Sequence, residues 1–312
     1  MFRSRAFIAY AFAFAATAFL STACFAADEP ATVKPVPRTD QGWVNRQTQI
    51  NARAKEGDVD LIFLGDSITQ GWMGAGKGVW EKYYDERKAM NAGIGGDRTQ
   101  HVLYRLDHGN LDGLKPKLAV IMIGTNNSGG DSSEDIAAGI KAIVEKLRAK
   151  LPEIKILLLG IFPRGPNADD TKRKVNVGAN EIAKKLDDGQ HVTYLDISEK
   201  FLEPDGTLSK EIMPDLLHLS PKGYEIWAEA IEPKVAAVLG DRHAARRAGW
   251  AVQVAETQLL KEGPLRGKYQ VSATPEDNGD WSVMFVWLPA TPGAHTLVTV
   301  HHDGSTEIAR GE

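Results

Sequence analysis

Four short runs of almost uninterrupted apolar residues, each followed by segments with helical periodicity, constrain what this chain can fold into. They cover residues 59–64, 118–123, 154–162 and 192–197. A strand that is apolar at every position is buried on both faces, which is typical of a parallel sheet covered by helices. The predicted fold is therefore α/β, a three-layer α/β/α sandwich with a parallel sheet. Its helices are expected at residues 42–57, 79–86, 99–106, 133–150, 172–186 and 220–239.

The pattern changes after residue 240. A helical segment at residues 246–260 precedes three runs in which apolar and polar residues alternate, and turn-forming residues separate these runs. The runs cover residues 268–273, 281–287 and 297–301. Such alternation predicts a small antiparallel sheet. We therefore expect one domain over residues 42–240 and a small C-terminal α+β module of open role over residues 241–312.

The first 26 residues have the parts of a secretory signal peptide: two early arginines, an apolar run over residues 6–20, and small residues before Ala26. The apolar run is shorter than the ~20 residues that a membrane-spanning helix needs. We expect cleavage after Ala26 and a periplasmic or secreted mature protein without an integral membrane span. Lipidation of Cys24 is the disfavoured alternative, because Ser21 stands where a lipobox usually has leucine.

Residues 27–41 come next and contain Pro30, Pro35 and Pro37 without any periodicity. Prolines in a segment of this kind favour an extended conformation. We therefore expect residues 27–41 to form an extended leader with no chemical role.

The charge and cysteine content exclude several classes of function. The chain has 37 Lys and Arg against 41 Asp and Glu, a formal net charge of −4 that removal of the first 26 residues would take to −6. This balance gives no reason to expect a nucleic acid or an anionic membrane as a partner. Cys24 is the single cysteine, which excludes an internal disulfide and multi-cysteine metal sites. No metal or cofactor motif is present, so we expect neither.

Polar residues follow two of the predicted strands at the edge of the sheet where ligands bind in open α/β folds. Ser67 follows the first run, and Asn126 follows the second. Between them, residues 91–97 are rich in glycine, so their backbone N–H groups can approach a ligand closely. Taken singly, these features could be a helix cap, an Asx turn and a tight turn.

Asp215 precedes His218 by three residues, directly before the helix start at Ser220 and Pro221. At this spacing the carboxylate can hydrogen-bond Nδ1 of the imidazole. Nε2 is then free to accept a proton from a serine hydroxyl. Among the eight histidines, only His218 has an acidic residue at this offset in a loop that borders a helix start.

In their order along the chain, these segments resemble the four sequence blocks of the SGNH (GDSL-type) hydrolases. The blocks here are Gly65-Asp66-Ser67, Gly96, Asn126 and Asp215-x-x-His218. The similarity is closest to the platelet-activating-factor acetylhydrolase catalytic subunits and their bacterial relatives. It extends over about residues 43–239 through N-x-G-I-G-G-D, H-V-L-x-R-L, G-T-N-N, P-R-G and H-L-S-x-x-G-Y.

The resemblance implies a flavodoxin-like sandwich and a role for each matched residue. Ser67 would be the nucleophile, His218 the general base and then acid, and Asp215 the group that orients the imidazole. The oxyanion hole would consist of the Ser67 and Gly96 N–H groups and the Asn126 side-chain amide. The implied reaction is hydrolysis of a carboxylic ester without a cofactor.

The substrate is less determined than the reaction. Our leading expectation is a secreted esterase that removes acetyl groups from a carbohydrate or another small molecule. A lipid esterase or lysophospholipase is the alternative within enzymes, although no inserted apolar lid is evident. A third possibility is a polysaccharide- or partner-binding protein that acts through the C-terminal module. In that module Trp281 and Trp287 share a strand face, as a binding platform or as half of a small core. The oligomeric state stays open.

Overall fold

The computed structural model describes residues 29–240, 242–265, 267–276, 280–289, 293–301 and 305–311. The predicted signal peptide and Cys24 lie outside the described residues. The side chains of residues 242–247 lie outside them as well.

The first sheet has five parallel strands in the spatial order β2-β1-β3-β4-β5. The strands are β1 (Leu61–Gly65), β2 (Ala89–Gly93), β3 (Leu118–Met122), β4 (Lys155–Leu159) and β5 (Val192–Leu195). The helices of this unit are α1 (Gln41–Lys55), α2 (Ser67–Gln70), α3 (Lys77–Tyr83), α4 (Thr99–Asp107), α5 (Ser133–Lys150), α6 (Thr171–Ala183) and α7 (Pro221–Leu239). The predicted α/β fold with a parallel sheet is confirmed.

Two apolar cores lie on opposite faces of this sheet. In β1, Ile62 and Leu64 contact the core that includes α1, α4, α5 and α6, whereas Leu61 and Phe63 contact the core that includes α7. All four side chains are at most 1% exposed. Burial of each stabilises the fold by about 1.5–3 kcal/mol, which explains why β1 is apolar on both of its faces.

Polar side chains set the helix starts. Asp40 accepts a hydrogen bond from the N–H of Trp43 at 3.0 Å and caps α1. Ser220 caps α7 in the same way through the N–H of Gly223, and Pro221 occupies the first turn, as its fixed φ favours. The chain therefore leaves the loop that contains His218 at a defined point.

Two strands were not among the sequence predictions. Residues 91–97 were expected to form a loop, but the segment begins inside β2, which ends at Gly93. A Cβ on Gly93 would lie 2.3 Å from the backbone N of Gln70, so this strand end packs directly on the turn that carries Ser67. The second missed strand is β9 (Thr306–Arg310).

The leader packs against the helices rather than running free. Residues Ala31–Val33 form one 3-10 turn, and the remainder up to Asp40 is largely extended, as expected. Thr32 is fully buried, and its Oγ1 donates to the carbonyl of Asp135 at 2.6 Å. The segment therefore has a fixed path along the edge of α4 and α5.

The C-terminal residues form a separate antiparallel sheet with the order β6-β7-β8-β9, packed on the helix α8 (Arg242–Glu262). The strands that precede β9 are β6 (Lys268–Pro275), β7 (Trp281–Leu288) and β8 (His295–Val300). Trp281 is only 5% exposed and belongs to the core with Val283 and Phe285. Trp281 therefore supports the core interpretation and not the platform.

Candidate active site

The strand order places the candidate residues at a topological switch point. From β1 the chain moves to β2 on one side and then crosses to β3 on the other, so β1 and β3 are neighbours whose connections diverge. In open α/β sheets a crevice forms at the carboxyl ends of such a pair. Ser67 follows β1 and Asn126 follows β3, so the topology brings them to the same crevice.

A continuous hydrogen-bond chain joins three of the residues picked out from the sequence. The hydroxyl of Ser67 donates to Nε2 of His218 at 2.9 Å, although the two residues are 151 positions apart. Nδ1 of His218 donates in turn to Oδ2 of Asp215 at 2.6 Å. With this tautomer Nε2 is an acceptor, which is what removal of a proton from the serine requires.

Asp215 is held by the backbone as well as by the imidazole. Its Oδ1 accepts the N–H of His218 at 2.7 Å and that of Leu217 at 3.1 Å. Burial raises the pKa of the Asp215 carboxyl, but the hydrogen bonds from His218 and Leu217 outweigh it, and the net pKa lies below 3.8. Leu216 has φ +60°, the left-handed region that a leucine rarely adopts. This conformation turns the chain so that Asp215 faces the imidazole.

The three predicted oxyanion donors lie in or beside the glycine-rich segment of residues 91–97. Gly96 has φ +78°, which favours glycine, and a Cβ on the preceding Gly95 would lie 3.7 Å from Cβ of Ser67. The side-chain amide of Asn126 donates to the carbonyl of Asp97 at 2.9 Å, on the other side of Gly96. Ser67 is the first residue of α2, where a backbone N–H has no partner within the helix.

A buried ion pair beneath this loop was not predicted. Asp97 and Arg105 are both fully buried, and Nε of Arg105 donates to Oδ2 of Asp97 at 2.8 Å. Arg105 also donates to the carbonyl of Ala92, within the glycine-rich segment, and to the carbonyl of Gly65, two residues before Ser67. Burial raises the pKa of Asp97 more than Arg105 lowers it. The signal in the sequence was the pair of family-like segments that contain these two residues.

Asp66, beside the candidate nucleophile, is a second buried carboxyl. Its Oδ1 accepts the N–H of Ile68 at 2.9 Å, while Oδ2 is buried without a hydrogen-bond partner. Burial raises the pKa of Asp66 to about 7, and the charge of Asp97 adds to this effect. His218 acts in the opposite direction and lowers the pKa of Asp66.

Two tryptophans that follow Ser67 along the chain, Trp72 and Trp80, belong to an aromatic cluster. Trp72 is 1% exposed and packs against Trp227, with ring centroids 4.9 Å apart. Trp80 packs edge-on against Phe63. Both side chains therefore pack against neighbouring aromatic residues and do not form an exposed platform for a sugar.

Neither a membrane span nor a metal cluster is found in the part of the chain that the structure describes. No helix there has the length and apolar character needed to cross a bilayer. No three His, Cys, Asp or Glu side chains of the described residues are grouped so that they could hold a metal ion.

A parallel sheet with the order β2-β1-β3-β4-β5 and a serine, histidine and aspartate at its carboxyl edge defines an SGNH-type α/β fold. The family model described as "GDSL-like Lipase/Acylhydrolase family" matches residues 63–226, more than half of the chain. The protein therefore belongs to the GDSL-like lipase/acylhydrolase family and is a carboxylic ester hydrolase. The match includes every residue of the candidate site and stops within α7.

Individual relatives agree with this membership. The chain is 37% identical over 202 residues to the platelet-activating factor acetylhydrolase IB subunit alpha1 of Bos taurus, covering 63% of this chain and 85% of that protein. It is also 37% identical over 186 residues to the alpha2 subunit of Mus musculus, covering 59% and 80%. A solved structure from Bacteroides fragilis, assigned as an acylhydrolase, shares the fold with a TM-score of 0.53 at 20% identity, covering 65% of this chain and 100% of that one.

Proposed function

We propose that this protein is an exported serine esterase that removes short acyl groups, chiefly acetyl, from carbohydrate esters. Ser67, His218 and Asp215 would form its catalytic triad. The observation that carries the proposal is the hydrogen-bond chain from Ser67 Oγ through both ring nitrogens of His218 to Asp215. The proposed export rests on the signal-peptide pattern of the first 26 residues.

The reaction proceeds in two acyl-transfer steps. Oγ of Ser67 attacks the carbonyl carbon of the ester while its proton moves to Nε2 of His218. The tetrahedral intermediate collapses when His218 donates this proton to the departing alcohol oxygen, which leaves an acyl group on Ser67. Water then gives a proton to His218 and attacks the acyl carbon, and His218 returns this proton to Oγ of Ser67 as the bond to the acyl group breaks and the carboxylic acid leaves. Asp215 keeps the imidazole in the required tautomer and stabilises its positive charge in both steps.

The negative charge that develops on the carbonyl oxygen needs preorganised donors. The N–H groups of Ser67 and Gly96 and the side-chain amide of Asn126 are the donors of the proposed oxyanion hole. Because Asn126 Nδ2 already donates one hydrogen bond to the carbonyl of Asp97, the orientation of this amide is fixed before substrate binds. Loss of one such donor costs about 3–4 kcal/mol of transition-state stabilisation.

Two features support a short acyl group on a large, uncharged alcohol. The acetylhydrolase subunits to which the chain is 37% identical carry a name that indicates an acetyl ester. The side chains of His218 and Asp215 are 45% and 56% exposed, so the side of the site that protonates the alcohol faces solvent. An open site of this kind accommodates a bulky alcohol such as a sugar chain, and the net negative charge of the chain disfavours an anionic one.

A comparison of acyl chain lengths and a serine variant tests the proposal. We expect the purified protein to hydrolyse p-nitrophenyl acetate faster than p-nitrophenyl octanoate and to release acetate from acetylated xylo-oligosaccharides. Ser67→Ala should abolish both activities, whereas the matched control Ser272→Ala, at an exposed position of β6, should keep them. Unchanged hydrolysis by Ser67→Ala would refute the proposed nucleophile.

A lipid ester is the second candidate substrate, because the matching family model is named for lipases as well as acylhydrolases and the relatives are named for platelet-activating factor. Parallel assays with platelet-activating factor and with acetylated xylo-oligosaccharide at equal concentration separate the two candidates. A greater kcat/KM on platelet-activating factor would make a lipid ester the proposed substrate instead of a carbohydrate ester. The proposed triad would not be affected.

A further inference from the structure

The leader segment reaches the proposed oxyanion hole through one side chain. Nη1 of Arg38 donates to the carbonyl oxygen of Gly95 at 2.6 Å and lies 3.5 Å from Oδ1 of the buried Asp97. Arg38 lies outside the matched residues 63–226, in a segment for which the sequence suggested no chemical role. Its side chain is 26% exposed, so most of it is packed against the protein.

We propose that Arg38 is a positioning residue that sets the orientation of the Gly96 N–H in the oxyanion hole. The inference rests on the proposed esterase function of the same site. It assigns part of the active site to the leader, upstream of the domain that carries the triad.

The planarity of the peptide bond links the carbonyl that Arg38 binds to the N–H of the oxyanion hole. The carbonyl of Gly95 and the N–H of Gly96 belong to the same peptide group, and in a trans peptide they point in opposite directions. When the Arg38 guanidinium holds the carbonyl on one side, the N–H is directed to the other side. A hydrogen bond from a cation also polarises the peptide group, which makes its N–H a stronger donor.

The peptide group between Gly95 and Gly96 needs a partner outside these two residues, because they restrict its rotation little. Gly95 and Gly96 have no side chains, and glycine populates positive and negative φ about equally, so rotation of the peptide plane between them meets little steric resistance. The adjacent N–H of Gly95 donates to Oε1 of Gln70 at 2.7 Å, and Gln70 belongs to α2, the helix that begins at Ser67. The N–H of Gly95 is therefore bound by the helix that carries Ser67, and the carbonyl of the same residue is bound by the leader.

Arg38 is itself fixed by contacts that lead back to the same loop. Its Nε donates to Oδ2 of Asp40 at 3.0 Å, and the other carboxylate oxygen of Asp40 caps α1 at the N–H of Trp43. The indole N–H of Trp43 donates to Oδ1 of Asp97 at 2.8 Å. This closed set of contacts holds the guanidinium in place.

The test compares Arg38→Ala, Arg38→Lys and the control Arg53→Ala on p-nitrophenyl acetate. Arg53 is a matched control because its side chain is 34% exposed and donates to a backbone carbonyl, that of Gly57, away from the loop. We expect Arg38→Ala to lower kcat about 10- to 100-fold, the scale of a misplaced catalytic group, with little change in KM. The kcat of Arg38→Lys should lie between those of the wild type and Arg38→Ala. The lysine ammonium can reach the carbonyl of Gly95, but it lacks the planar set of donors with which arginine also binds Asp40.

A second measurement separates positioning from a general loss of structure. A short alkylboronic acid forms a tetrahedral adduct with a reactive serine and places a negatively charged oxygen where the oxyanion develops. Its inhibition constant should rise in Arg38→Ala by about the factor by which kcat falls, while Arg53→Ala changes neither.

The proposed role of Arg38 would be refuted by an unchanged kcat in Arg38→Ala, or by a lowered kcat with an unchanged affinity for the boronate. In either case, Ser67-dependent hydrolysis by the wild type would still support the proposed esterase function. A wild-type protein without Ser67-dependent hydrolysis would instead refute the proposed function itself.

Discussion

The buried carboxyl of Asp66 makes a quantitative prediction about stability and pH. Burial raises its pKa from 3.8 to about 7 in the folded protein. Between these two values the unfolded chain has released a proton that the folded chain retains. Because the unfolded state then binds fewer protons, the free energy of unfolding falls as the pH rises through this window. Below the window both states are protonated, and above it the destabilisation is complete.

The size of the effect follows from the shift. Each pKa unit corresponds to 1.36 kcal/mol, so a shift of about three units destabilises the fold by ~4 kcal/mol at alkaline pH. About 3 kcal/mol of this develops between pH 5 and pH 8. Asp66→Asn keeps an oxygen that can accept the N–H of Ile68, but it has no proton to lose. The variant should therefore lack this part of the pH dependence.

Urea unfolding of the wild type and of Asp66→Asn at pH 5 and pH 8 measures the effect. We expect the stability of the variant relative to the wild type to increase by about 3 kcal/mol from pH 5 to pH 8. A pH-independent cost of placing an amide at the unpartnered Oδ2 position cancels in this difference. Parallel pH profiles for the two proteins would refute the claim that burial raises the pKa of Asp66.

Three substitutions test the proposed roles of other site residues. Asp215→Asn should lower kcat by up to about 10,000-fold on p-nitrophenyl acetate, since an amide favours the wrong imidazole tautomer; a loss below tenfold would contradict the orienting role. Asn126→Ala should lower kcat about 100- to 1,000-fold through the loss of one oxyanion donor, and a change confined to KM would argue against that role. Gly96→Ala, at φ +78° and with its Cβ only 2.9 Å from Nη1 of Arg38, should lower both kcat and the melting temperature; wild-type values in both assays would show that the loop needs no glycine there.

The sequence predicted those parts of the fold whose pattern is local. Strands β1 and β3 carry no polar side chain, and β4 is apolar after its first residue, Lys155, because helices cover both faces of the sheet. Composition alone therefore marks these three strands. The edge strand β2 has the sequence AMNAG and pairs only with β1. Its Gly93 is required by the close approach of the α2 turn and not by strand propensity, so β2 resembles a loop in the sequence.

The contacts within the candidate site also differ in how far the sequence alone predicts them. The contact between Asp215 and His218 spans three residues and is visible as a spacing. The contact of His218 with Ser67 depends on sheet topology, and only the family resemblance linked the two in advance. Arg38 belongs to no periodic segment, and its role depends on a leader whose path is set by tertiary contacts. Sequence reasoning had no signal for it.

Ser67 is proposed to be an activated serine nucleophile in a Ser-His-Asp triad. Incubation with a fluorophosphonate probe, followed by digestion and mass spectrometry, tests this role most directly, because the probe modifies serines that are activated by a neighbouring base. We expect one adduct, on the peptide that contains Ser67, and its loss in both Ser67→Ala and His218→Ala. An active protein that forms its adduct at another serine, or an adduct on Ser67 that persists in His218→Ala, would contradict it.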